Sequence, residues 1–247
     1  MRGTAIEFRL RALIMAIVIT LGFWAPWIEA WGIGRRIPLL EWLALELTRA
    51  GVARFATAIP MVIVAGALIA ALGAALRIWG TAWLGVATVS HMERKASAVV
   101  ADGPYRFVRN PLYLGSWCMF AAMSFLMPVG GAVFAMPLLT VFLFRLILGE
   151  EAFLSQQLGE PYQAYLRAVP RLIPDLRTAL PSTGAKPHWL LAALAEINPI
   201  GVFVILTFLS WSYDNLLMVK AILVSFGVSL VVRALLPGER PATSLAE

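Results

Sequence analysis

Apolar residues run along this chain in long blocks, and the polar residues are largely confined to the gaps between them. The blocks fall at about 10–31, 56–84, 112–127, 132–148, 189–211 and 216–236. A helix needs roughly 20 apolar residues to cross a bilayer, so the pattern predicts about six spans. The gaps differ in character. Segment 35–54 mixes Leu39, Leu40, Trp42, Leu43, Leu45 and Leu47 with Glu41, Glu46 and Arg49, which suits either a short helix lying on the membrane surface or an ordinary connecting loop. Pro128, Gly130 and Gly131 make an uncharged turn between the third and fourth spans, so those two form a tight hairpin. Residues 212–215 form a short turn between the fifth and sixth. Two gaps are long and polar, 85–111 and 149–187, and the second reads as two short amphipathic helices broken at Gly159-Glu160-Pro161.

Composition supports this reading. The chain is 60% hydrophobic and 14% charged, where a soluble globular domain carries about 25% charged residues. Gly66, Gly73 and Gly80 in the second block permit close helix contact. Arg77, in the last third of that block, either snorkels to the interface or points into a polar site. Arg2, Arg9 and Arg11 precede the first block, but its apolar run is longer than a signal-peptide core and no small-x-small cleavage site follows. It is therefore read as a retained first span. The expected fold is an all-α polytopic transmembrane helical bundle. Three parts are expected: 1–55, the first span and interfacial helix; 56–178, a core with three spans; and 179–247, a C-terminal pair of spans.

The net charge of +6 does not point to nucleic acid, because the basic residues flank the apolar blocks. With the N-terminus inside, Arg2, Arg9, Arg11, Arg94, Lys95, Arg106, Arg109, Arg167, Arg171, Arg177, Lys186, Arg233 and Arg240 fall inside, thirteen of the twenty basic residues. Arg35, Arg36, Arg49 and Arg54 fall outside. The bias favours cytoplasmic termini, and it brings both long polar stretches to the cytoplasmic face, where they can build a pocket. Cys118 is the only cysteine, so no intrachain disulfide and no cysteine-based zinc site can form; with His91 and His188 the only histidines, a histidine-rich metal site is excluded as well. No P-loop, complete G-x-G-x-x-G, H-E-x-x-H or G-x-S-x-G occurs.

Two constellations remain. The first is Gly103-Pro104-Tyr105-Arg106-Phe107-Val108-Arg109-Asn110-Pro111-Leu112-Tyr113-Leu114-Gly115, whose prolines restrict the backbone where the chain enters the third span. The second is Arg145, Glu150 and Glu151 at the end of the fourth span. Adjacent carboxylates at a membrane boundary are costly unless solvated or paired. From composition alone, a basic membrane anchor explains the first better than a site does, and a solvated helix end is the alternative for the second.

The joint pattern adds to that. The first segment, then Glu150-Glu151-Ala152-Phe153-Leu154, then Leu158-Gly159-Glu160-Pro161-Tyr162 through Tyr165 to Val169-Pro170-Arg171, resembles the isoprenylcysteine carboxyl methyltransferase and phospholipid methyltransferase superfamily in order and spacing. The resemblance covers about 76–174. Leu76-Arg77 and Trp79 are similar to the family's preceding helix, and Val89-Ser90-His91 is similar to a histidine segment of the eukaryotic carboxyl methyltransferases. The resemblance implies an enzyme that uses S-adenosylmethionine, with no metal, and methylates a lipophilic, lipid or prenylcysteine acceptor in the bilayer. It implies a cofactor pocket of His91, Tyr105, Arg109, Asn110, Pro111, Tyr113, Leu114, Glu150 and Glu151, with Arg109, Asn110 and Glu151 nearest the chemistry. Arg109 would clamp the cofactor carboxylate, a glutamate would hold its amine or ribose, and Tyr105 and Tyr113 would pack on the adenine or sulfonium. The family usually has histidine where this chain has Asn110; asparagine donates and accepts hydrogen bonds but does not titrate at neutral pH. The C-terminal spans either wall the acceptor pocket or mediate oligomer contact. An NADPH-dependent membrane reductase and a non-catalytic membrane subunit are the competing expectations; the acidic pair favours the methyltransferases over the first, and Asn110 is the feature that favours the second.

Overall fold

The computed structural model describes residues 3–24, 37–84, 101–177, 180–182 and 184–235. Among these residues the regular secondary structure is all helical, with no strand. The helices are α1 (Ala5–Arg9), α2 (Arg11–Phe23), α3 (Leu39–Arg49), α4 (Phe55–Leu84), α5 (Pro111–Ser124), α6 (Val129–Leu158), α7 (Glu160–Ala168), α8 (Trp189–Ala195), α9 (Ile197–Phe208) and α10 (Asn215–Leu235). Among the described residues three of them, α4, α6 and α10, are long and apolar enough to cross a membrane, or up to four if the bent pair α8–α9 forms one span. Of the six expected spans, the first and third are shorter helices, of 13 and 14 residues in α2 and α5. The far end of the first lies outside the described residues.

The elements pack as the apolar blocks dictate. Ala70 and Ala74 of α4, Met119 and Ala122 of α5, Val202 and Leu206 of α9, and Met218 and Ile222 of α10 form one buried cluster. Within the mixed segment, Leu39–Arg49 is a helix rather than a loop: α3 buries Leu40 and Ala44 against Ala58, Val62 and Ile63 of α4. The α5–α6 hairpin is tight, as its uncharged turn predicts. At that end of the bundle Leu39 N–H donates to the Met127 carbonyl (2.8 Å), Leu40 N–H to that of Phe125 (3.0 Å), and the Asn215 amide to that of Leu126 (2.9 Å). Gly131 is required there: a Cβ would lie 1.7 Å from the Gly22 carbonyl oxygen, so only glycine lets α6 cross α2 so closely.

Two expectations are corrected. The fourth span does not stop near 148. Helix α6 continues to Leu158 and ends at Gly159, whose φ of +59° is a left-handed conformation that glycine adopts at little cost. Gly149 is buried inside the helix and does not break it, so 153–158 belongs to the span and only α7 is a separate amphipathic helix. The fifth span is not straight: α8 and α9 meet at a 70° bend. Pro199 causes it, because proline has no N–H for the carbonyl of Ala195 four residues back and its ring crowds that carbonyl.

Candidate functional site

The ends of α4, α6 and α10 and the starts of α2, α5 and α8 share the other end of the bundle. The two polar stretches meet there. Arg109 N–H donates to the Pro170 carbonyl (2.9 Å) and Asp175 N–H to that of Phe107 (3.0 Å), so 107–109 and 170–175 run side by side. The Tyr165 hydroxyl donates to the Tyr105 carbonyl (2.9 Å), and Ser182 Oγ donates to Asp102 Oδ1 (2.7 Å). Arg106 Nε donates to the Leu180 carbonyl. These bonds fix the 3-10 turn Gly103–Arg106 over the start of α5.

Glu151 is the centre of the cluster and is 6% exposed. Arg171 grips it in bidentate fashion, Nη2 to Oε2 at 2.8 Å and Nε to Oε2 and Oε1 at 3.0 and 3.2 Å. The Asn110 amide donates to Glu151 Oε1 and to the Arg171 carbonyl, each at 3.2 Å. Arg109 Nε lies 3.6 Å from Glu151 Oε1, beyond hydrogen-bond reach, and is buried without an acceptor. One residue earlier on α6, Glu150 accepts a 2.7 Å bond from the Tyr113 hydroxyl. The Glu151 carboxylate holds the Arg171 guanidinium above its ordinary pKa. Burial raises the phenols of Tyr105, Tyr162 and Tyr165, which stay neutral well above pH 10.

The structure brings together Arg109, Asn110, Glu151, Tyr113 and Glu150. Tyr105 is buried nearby, its hydroxyl without a partner among the described residues. Pro111 is buried as the first residue of α5, where its missing N–H costs nothing. Leu114 follows half-buried on the same helix. His91 lies outside the described residues. Arg145 is not with the glutamates: it turns to the N-terminal helix, with Nη2 2.9 Å from Glu7 Oε1, while its carbonyl accepts from Gly3 N–H. Five or six residues on a helix turn a side chain to a different face, which the sequence neighbourhood conceals. Arg171 is the residue that sequence reasoning left out of the site.

A second cluster was not foreseen. Glu196, at the α8–α9 bend, is fully buried. Arg77 of α4 grips it with Nε to Oε2 at 2.6 Å and Nη2 to Oε1 at 2.9 Å, and Thr81 Oγ1 donates to Oε1 at 2.8 Å. Arg77 Nη1 also reaches Ser116 Oγ of α5 at 2.6 Å. Thus Arg77 points into a polar site. Its signal was legible: Glu196 is the lone charge in the apolar block 189–211, and an ionisable residue inside a membrane span is rarely idle. The two clusters share one face of α5, where Asn110, Tyr113 and Ser116 recur every third residue.

Residues 61–161 match the family model described as phospholipid methyltransferase. That places the segment in the superfamily of membrane methyltransferases to which the isoprenylcysteine carboxyl methyltransferases belong. No curated protein and no solved structure matches the chain. The apolar helices and the family match support an integral membrane protein, and the matched segment covers less than half of the chain. Glu150, Glu151 and the segment 103–115 lie inside the match, whereas Arg171, Glu196 and Arg233 lie beyond it.

Proposed function

We propose that this protein is an S-adenosylmethionine-dependent methyltransferase acting on a lipophilic acceptor, with its site at the cytoplasmic face. The observation that carries the reading is the paired carboxylates Glu150 and Glu151, fixed by Tyr113, Asn110 and Arg171 inside the family-matched segment. The side chains suit the cofactor's chemistry. Arg109 Nε, buried without an acceptor, fits a carboxylate. The acidic pair fits an amine or ribose hydroxyls. The unpartnered Tyr105 hydroxyl can take a further polar group.

When bound, the cofactor supplies an activated methyl group. The chain's own contribution is orientation and exclusion of water, which in-line displacement needs more than acid–base groups. Arg171 and Asn110 hold Glu151 in one orientation, and Tyr113 does the same for Glu150. Asn110 does not titrate, so it serves as a hydrogen-bonding residue and not as a base. Acceptors that present an anionic oxygen or sulfur need no protein base, whereas an amine must arrive unprotonated. The basic residues gathered at this end of the bundle support the cytoplasmic assignment.

The test is incubation of purified protein with deuterated-methyl cofactor and membrane lipid extracts, followed by mass spectrometry. Label in a lipophilic product is expected. Its absence from a preparation that is folded and binds the cofactor would contradict the reading.

A further inference from the structure

The Glu196 junction carries more cationic than anionic charge. Arg77 neutralises Glu196 through two hydrogen bonds. Arg233, from the last turn of α10, is aimed at the same point. Its Nε donates to the Ala195 carbonyl at 2.8 Å, the carbonyl that Pro199 deprives of its helical donor. Its Nη2 stands 3.9 Å from Glu196 Oε2, too far for a hydrogen bond. Thus one bond to the bend fixes the guanidinium, and its Nη donors have no acceptor at hydrogen-bond distance among the described residues. Arg11 of α2 is also within electrostatic reach of Arg233, which adds to the positive field. A guanidinium held in the last turn of a span, at the edge of the apolar region, draws an anion to its free donors, and its fork matches a carboxylate or phosphate.

The surroundings indicate what carries that anion. Arg233 keeps 35% of its side chain exposed, and on the same helix Leu230 and Val231 are 53% and 62% exposed. The arginine therefore stands at the end of a span whose exposed surface is largely apolar. Ser116, which Arg77 also contacts, stands one helical turn along α5 from Tyr113 of the carboxylate cluster.

We infer that the α8–α9 bend, with Arg233 and Arg77 fixed around Glu196, is a binding site for the anionic headgroup of a lipid, a carboxylate or phosphate on an apolar tail. The C-terminal helices thereby add a recognition element to the methyltransferase core. The binding claim stands on the junction alone; only the identification of that lipid as the methyl acceptor rests on the proposed function.

The experiment uses the full chain in nonionic detergent, titrated with oleic acid, phosphatidic acid and, as a neutral tail-matched control, diacylglycerol, and read by native mass spectrometry. Both anionic lipids should bind about tenfold or more tightly than diacylglycerol. Arg233→Ala should abolish that preference, and Arg233→Lys should keep part of it. S-adenosylhomocysteine binding and the unfolding temperature of Arg233→Ala should stay near wild type, which separates a headgroup contact from a misfolded variant. Deuterated methyl on the bound lipid marks it as the acceptor; an unlabelled phospholipid that co-purifies in wild type and is lost in Arg233→Ala marks a resident bilayer lipid. Either outcome supports the site. Charge-independent affinity, or unchanged preference in Arg233→Ala, overturns it. Loss of cofactor binding with lipid preference intact would count against the proposed function and leave this site standing.

Discussion

The two polar clusters at this end of the bundle use the same ingredients in opposite ways. At Glu151 the ligands come from nearby motifs: Asn110 opens α5, Glu151 lies on the following helix, and Arg171 is 20 residues further on. That cluster leaves buried polar groups without partners, the Arg109 Nε and the Tyr105 hydroxyl. At Glu196 the partners are 119 residues apart in sequence, and the carboxylate is saturated by Arg77 and Thr81. The first cluster has donors to spare for a ligand beside its carboxylates; the second first joins two parts of the chain and offers only Arg233 outward. A buried ion pair is thus no guide to function by itself. What distinguishes the clusters is the polar valence left over once the internal pairs are made.

That comparison can be broken in several places. The largest effect is expected from Glu196→Ala, which leaves Arg77 buried and unpaired. Truncating one partner of a buried pair costs about 3–5 kcal/mol. A fall in the midpoint of thermal or denaturant unfolding in detergent measures it, and a change under about 1 kcal/mol, the range of exposed pairs, would show that the junction is solvated. Next is Glu151→Ala, which releases Arg171, Asn110 and Arg109 together. Cofactor affinity should fall by about 2–3 kcal/mol, the range for charged hydrogen bonds. The smaller Tyr113→Phe change removes one bond to Glu150, with an expected loss near 1.5 kcal/mol in affinity and little change in unfolding.

The smallest effect concerns the N-terminal helix. The Thr4 backbone N–H and Arg145 hold the Glu7 carboxyl below its unfolded value of 4.5. A depressed folded pKa contributes stability above the unfolded pKa that is lost as pH falls through the folded one. Docking of α1 on α6 should therefore persist at neutral pH and loosen below about pH 4.5. Glu7→Gln should loosen it at neutral pH to about the level wild type reaches in acid, and so flatten the acid dependence seen by amide exchange at the first helix.

Much of the fold was legible because a bilayer imposes length and apolarity on its spans. The blocks at 56–84 and 216–236 became α4 and α10 with ends shifted by a residue. What escaped was set by local chemistry inside otherwise apolar runs. Asn198-Pro199 bends the fifth block, and the uninterrupted α6 carries Glu150 and Glu151 within a helix that continues two turns further, not at its end. For the site, the motif residues were legible as a group because they are close in sequence. Arg171 was read as the end of a motif because nothing linear shows that the chain folds back at Arg109–Pro170. Glu196 was overlooked inside its apolar block, although a single carboxylate there was the strongest available signal of a partner elsewhere.

The central claim is that the Glu150–Glu151 cluster binds S-adenosylmethionine. Isothermal calorimetry of S-adenosylhomocysteine on the purified full-length protein, beside Glu151→Ala and Arg233→Ala, tests it most directly. The account predicts saturable binding to wild type and Arg233→Ala and a loss of about 2–3 kcal/mol in Glu151→Ala. No heat of binding from a folded wild-type preparation, or equal affinity in Glu151→Ala, would contradict it.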